Sequence, residues 1–333
     1  MTATATIRSE TRPGEVPAPV AATAGGATVF SPLAALLKPR LSAAAVVLAC
    51  EPLARRTTLK VGGPADVYVE PAGETDLAEV LRFCRDRAVP VRILGRGSNL
   101  LVRDGGVRGV VVCLAALAFA QVEVQGPLLR AGAGARLKQV AAEARRHALT
   151  GLEFLEGIPG SVGGALRMNA GAHQAWTFGV LERVRWMTPE GEAEEKPASA
   201  VPAEYRSCPA FRTNLALAAV FRGQPGDEAA IQARMEAFRR QRQETQPREA
   251  SAGCIFKNPA TIPAGRLIDE LGLKGTRIGG AQVSTVHGNF IVNTGGATAA
   301  EVLELIEWVR VEARAKRAVE LETEVEIVGE DSV

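Results

Sequence analysis

Residues 151–173 read GLEFLEGIPGSVGGALRMNAGAH and carry six glycines and one proline at close spacing between apolar flanks. That density argues against a regular helix and against a long central strand, since glycine loses the most backbone entropy in either and proline donates no hydrogen bond. What it suits is backbone made for close approach. Bare amides in such turns converge on an anion, and Asn169, Ala170 and Gly171 are small where a bulky side chain would block a ring or a pyrophosphate. A glycine-rich turn can also serve only to let two elements pack. The anion-binding use is favoured by a second loop of the same kind earlier in the chain.

That loop is Gly95-Arg96-Gly97-Ser98-Asn99, at the end of an apolar strand over residues 91–94. Before it lie a strand at 67–69 and a segment over 75–87 whose Leu77, Val80, Leu81 and Cys84 recur at helical spacing. The order is β-α-β, yet it is not a dinucleotide fingerprint of the Rossmann kind. G-x-G runs into Ser-Asn-Leu, and a strand follows where that fingerprint needs a helix. The loop reads either as an ordinary strand-to-strand turn or as one whose Ser98, Asn99 and amides hold phosphate oxygens.

Composition bounds the classes. A chain of 333 residues exceeds what one core usually serves, so two or three domains are expected. Lys plus Arg is 39 against 37 for Asp plus Glu, which gives no field favouring nucleic acid or a membrane surface. Aromatics at 5% speak against base-stacking platforms. The five cysteines are odd in number, widely spaced and without a C-x-x-C pair, which fits a reducing, cytoplasmic compartment. With three histidines, no metal centre is expected.

Residues 1–40, rich in Ala, Thr, Pro and Gly at the start, read as a disordered tail. The segment LSAAAVVLAC at 41–50 superficially resembles an export signal but lies too far from the start and is too short to span a bilayer, so it reads as an N-terminal helix. Further on, the pattern predicts helices over 137–147, 226–246, 264–271 and 298–318, the last with Thr298 as N-cap three residues before Glu301. Strands are predicted over 180–188, 218–221 and 320–328. The charged helix at 226–246, ended by Pro247, marks a domain border.

Eight segments in order carry a resemblance: TTLKVGGPAD, ILGRGSNLLV, residues 151–173, YRSC, SAGCIFKNP, AGRLIDELGLKG, GAQVSTVHGNFIVN and LETEVEIVG. Together they resemble the UDP-N-acetylenolpyruvoylglucosamine reductase (MurB) family over roughly residues 51–330, in its variety without a tyrosine lid loop. The resemblance implies an α+β fold: a two-lobed PCMH or vanillyl-alcohol-oxidase-type FAD-binding module and a smaller α+β substrate-binding domain. Combined with the composition break, the expected division is 41–115 and 116–223 for the two lobes and 224–330 for the substrate domain. The implied activity is NADPH-dependent reduction of an enolpyruvyl nucleotide sugar in peptidoglycan synthesis, with FAD as cofactor and NADPH as co-substrate, in a monomer. The alternative is a nucleotide-sugar-binding protein on the same fold with weakened catalysis.

Site residues follow from the same resemblance. Arg206, in the YR dipeptide, corresponds to an active-site arginine suited to a carboxylate whose charge grows. Glu324 in LETEV corresponds to a catalytic glutamate, with Glu322 as its rival. Cys254 stands where many relatives carry a serine proton donor; a thiol is a far stronger acid than a hydroxyl, and Ser251 is a possible substitute. Gly95, Arg96, Gly97, Ser98 and Asn99 are expected at the FAD pyrophosphate. Pro159, Gly160, Ser161, Gly163 and Gly164, with Asn169, Ala170 and Ala172, are expected along the rest of the cofactor. Lys257, Asn258, Gln282, His287 and Asn289 are expected on the substrate. Arg167 either meets a phosphate or points outward. The only tyrosines, Tyr68 and Tyr205, lie outside any lid position, so an open pocket is expected.

Overall fold

The computed structural model describes residues 31–332. The first 30 residues of the expected tail lie outside the described residues. Residues 31–40 are ordered into a short helix, Pro32–Leu37, and a single 3-10 turn, because Leu37 is fully buried in the core of the first lobe. The helix expected over 41–50 is instead a strand, Val46–Pro52, antiparallel to Pro64–Glu70. Its Ala and Leu content suits a helix, but an open sheet edge with a half-buried face outweighs so weak a propensity.

The first lobe is a four-stranded sheet in the order Val46–Pro52, Pro64–Glu70, Val107–Cys113, Val91–Leu94, parallel in its last two pairings. Helix Glu74–Asp86 covers one face and buries Leu77, Val80, Leu81 and Cys84, the apolar stripe read from the sequence, together with Phe83. Large apolar side chains buried in this way contribute about 1.5–3 kcal/mol each. The second lobe is an antiparallel sheet of five strands in the order Ala193–Pro197, Leu181–Met187, Leu215–Arg222, Leu128–Gly132, Val122–Gln125. Helix Leu137–Arg146 packs its Val140, Ala141 and Ala144 into that lobe's core.

Helix Glu228–Thr245, which the sequence reading placed in the third domain, packs against the second lobe. Its Ile231 and Met235 enter that lobe's core, and Arg234 and Arg239 pair with Glu153 and Glu156 at 2.7 Å each. Residues 151–173 also differ from expectation in holding a two-turn helix, Val162–Met168, begun by the Ser161 hydroxyl and ended by Asn169 at φ 39°. Gly163 lets that helix press on the sheet: a Cβ there would sit 3.2 Å from the Ala133 Cβ.

The third unit is an antiparallel sheet, Ala250–Cys254, Phe290–Asn293, Ala281–Val283, Arg277–Ile278, under helices Ala264–Glu270 and Ala299–Arg317. Thr298 and Glu301 form the expected capping box, and Asp104 of the first lobe accepts from Ala299 N and Ala300 N at 2.8 and 2.9 Å. The closing strand is shorter than read: Glu326–Val328 pairs in parallel with Leu100–Val102. Residues 320–325 run instead along the third unit, with Glu324 N donating to Ile255 O at 2.7 Å. The chain end therefore returns from the third unit to the first lobe, and Glu324 sits at the junction.

Candidate active site

A cavity of about 860 Å³ lies where the two lobes and the third unit meet. The loop 95–99 and the segment 157–172 supply much of its wall. Gly97 has φ 61°, and a Cβ there would come within 2.4 Å of Arg56 O, so this turn requires glycine. The two loops touch directly: Ser98 Oγ donates to Pro159 O at 2.6 Å. Asn99 Nδ2 donates to Glu324 O at 3.0 Å. Ser98 and Asn99 both line the cavity, each with one donor on a protein carbonyl. Of the remaining cofactor candidates, Gly95, Arg96, Gly97, Pro159, Gly160, Ser161, Gly163, Gly164, Ala170 and Ala172 line the cavity.

Asn169 does not line it. Its amide donates to Glu204 O at 3.1 Å and accepts from Phe178 N at 3.1 Å. Glu204 and Ser207 bridge to close the tight turn that carries Arg206 at φ 55°, a left-handed conformation uncommon outside glycine and asparagine. Asn169 therefore buttresses the arginine.

Three of the sequence candidates converge at one end of the cavity. Arg206 Nε donates to Glu324 Oε1 at 2.7 Å. Burial pushes the Glu324 carboxyl up, against the opposing pull of Arg206 and Lys257. Cys254 follows a bulge at Gly253, φ 80°, that breaks register between Ser251 and Cys254 and turns the thiol to the cavity. Burial, reinforced by the Glu324 charge, pushes the thiol up to about 12. It is therefore held as a neutral S–H, the form a proton donor needs. Ser251, the alternative donor, lies in the sheet opposite Val292 and does not line the cavity. Glu322 faces solvent and pairs with Lys257 at 3.1 Å.

The five expected substrate contacts are not on the cavity wall. Asn258 Oδ1 accepts from Ala264 N, Gln282 donates to Gly275 O, and His287 Nδ1 accepts from Asn289 N. The buried Asn289 spans Phe256 N and Phe256 O at 2.9 and 2.8 Å. In a segment so rich in turns, amide side chains satisfy backbone groups that no ladder reaches.

The reading from sequence missed Arg242. It lines the cavity and donates to Gly157 O, and burial pulls its guanidinium down from the ordinary arginine value. Its signal was present: Ile231, Met235, Phe238 and Arg242 recur at spacings of four, three and four, one face of the helix. Two of these are buried and Phe238 stacks on His173 at 3.7 Å, so the arginine points inward with them. Among the described residues Arg96, Arg212 and Arg242 line the cavity without a carboxylate partner, which gives it a cationic lining.

A profile described as "FAD binding domain" matches residues 65–195, and one described as "UDP-N-acetylenolpyruvoylglucosamine reductase, C-terminal domain" matches residues 246–328. A UDP-N-acetylenolpyruvoylglucosamine reductase of Bradyrhizobium is 43% identical over 85% of this chain and 92% of its own length. That of Methylorubrum extorquens is 46% identical over 83% and 90%. The chain belongs to the UDP-N-acetylenolpyruvoylglucosamine reductase family. Its architecture agrees: the crystal structure of the family's Thermus caldophilus member (MurB) superposes with a TM-score of 0.73 at 38% identity, covering 85% of this chain and 98% of that one. The cavity suits the FAD of this family. Two close-packed glycine-rich loops leave room for an extended dinucleotide, and the arginines without partners match its anionic diphosphate. No helix among the described residues is long and apolar enough to cross a membrane.

Proposed function

We propose that this chain reduces UDP-N-acetylenolpyruvoylglucosamine to UDP-N-acetylmuramate with NADPH, using the neighbouring Cys254, Arg206, Glu324 and Arg242 of the cavity wall. FAD held between residues 95–99 and 157–172 would supply the two-electron chemistry that carries hydride from NADPH to the vinyl carbon of the enolpyruvyl ether. The electron pair so displaced collects on the neighbouring carbon and its carboxylate. Arg206 and Arg242 bind that carboxylate as its charge grows, and being always protonated they need no proton of their own to do so. Cys254 gives its S–H proton to the carbon, and the thiolate left behind recovers a proton from solvent. Glu324 holds Arg206 in its left-handed turn and helps keep the Cys254 thiol neutral.

The observation that carries this reading is the convergence of a neutral thiol, a guanidinium–carboxylate pair and an arginine without a carboxylate partner at one end of a glycine-walled cavity. Residues 95–99 and 157–172 are proposed to hold the cofactor chiefly through backbone amides. A monomer is proposed, and a cytoplasmic location because the cysteines are free. Purified protein is expected to be yellow, to bleach anaerobically with NADPH and to recover its colour on adding the enolpyruvyl nucleotide. Protein that binds FAD but is not reoxidised by that nucleotide would support the weakened binding protein instead.

A further inference from the structure

Arg167 belongs to the second lobe, at the end of the helix that follows the loop 159–161. Its Nε and Nη2 both reach Glu326, at 3.3 and 2.8 Å, and its Nη1 donates to Phe211 O at 2.9 Å. Glu326 starts the strand beside Leu100–Val102, and its backbone N–H donates to Asn99 O at 3.1 Å, so it moves with the loop 95–99. Arg92, on the strand leading into that loop, donates to the same carboxylate at 3.3 Å. All three side chains line the cavity. One carboxylate therefore ties the two glycine-rich loops together in addition to their direct contact through Ser98 and Pro159.

We propose that Arg92, Glu326 and Arg167 form an ionic strap across the cofactor cleft that sets the gap between the two loops and so the retention of the flavin. The proposal rests on the reading of this cavity as the FAD site. The strap is built to hold and to open. Arg167 meets the carboxylate through two nitrogens, which fixes its geometry, while side-chain exposures of 40% and 32% leave the pair open to screening by salt. Glu326 is neither the Arg206 partner nor a neighbour of the thiol, so its action on the flavin runs through the loops it joins. These three are positioning residues.

The test is the rate at which FAD leaves the holoprotein, followed by the fluorescence of released flavin. Arg167→Met and Glu326→Gln are each expected to speed release about fivefold at low salt. The double variant is expected to be no faster than the faster single one, because both break the same contact. Release is expected to quicken with ionic strength more steeply in the parent protein than in the variants, which keep only the salt dependence of the diphosphate contacts. Arg167→Lys, which keeps the charge but not the two-nitrogen contact, is expected to fall between. Unchanged release in both single variants, or effects that add in the double variant, would overturn the strap. Thermal unfolding of the flavin-free proteins serves as the control, since a merely structural pair would lower that midpoint without a salt-dependent release rate. Failure of every protein, the parent included, to take up FAD would sink the cofactor reading instead.

Discussion

Cys254→Ala is expected to leave bleaching by NADPH within about twofold of the parent and to slow reoxidation by the enolpyruvyl nucleotide by about 10²–10⁴, the range a positioned general acid supplies. The asymmetry is the informative part. Hydride reaches the cofactor without any proton from the thiol, whereas the carbon beside the carboxylate cannot be completed without one. Removing the small, half-buried side chain leaves the Gly253 bulge and the pairing of Cys254 with Phe290 in place, so the variant is expected to fold and to bind flavin. Cys254→Ser is expected to recover part of the rate, because a hydroxyl in the same place still donates, though as a weaker acid. Equal reoxidation in Cys254→Ala and the parent would move the donor to Ser251 or to water.

Arg206→Ala is expected to lower the reoxidation rate by about 10²–10³, the scale of losing one preorganised group that stabilises a developing oxyanion. Two effects combine. The growing carboxylate loses a bidentate partner, and Glu324 is left buried with its nearest counter-charge removed, which pushes its carboxyl further up. Arg206→Lys keeps the charge but not the planar fork and is expected to recover only part of the loss. Stopped-flow reoxidation of the pre-reduced variants separates this from an effect on NADPH. A fall in NADPH bleaching as large as the fall in reoxidation would mean that Arg206 serves general binding rather than the second half-reaction.

Much of this site can be read before any coordinates, and the reason is chemical. Glycines at 95, 97, 160, 163 and 164 stand out by their density, with Gly97 and Gly163 held to glycine by close neighbours, and the YR, AGC and LETE segments place reactive groups beside them. Periodicity found the helix over 75–87 and the capped helix after Thr298 for equally local reasons. What escaped depends on partners distant in sequence. Asn169 looks like a ligand-binding polar residue until the Glu204 carbonyl is in place. Arg242 is hidden by the charges on either side of it in FRRQRQE, although its register with Met235 and Phe238 points it inward. Arg167 becomes intelligible only with Glu326, 159 residues away. The strand Val46–Pro52 reads as a helix because composition carries no trace of the sheet edge it will join.

The central claim is that a neutral Cys254 thiol in this cavity delivers the proton. Its most direct test is single-turnover reoxidation of the NADPH-reduced enzyme, saturated with the enolpyruvyl nucleotide, from about pH 6 to about pH 9. The thiol donates only below its own pKa, and burial with the Glu324 charge pushes that up to about 12. The rate is therefore expected to stay level across the range and to remain slow throughout in Cys254→Ala. A rate that falls with a midpoint near the ordinary thiol value of about 8.5 would contradict the account.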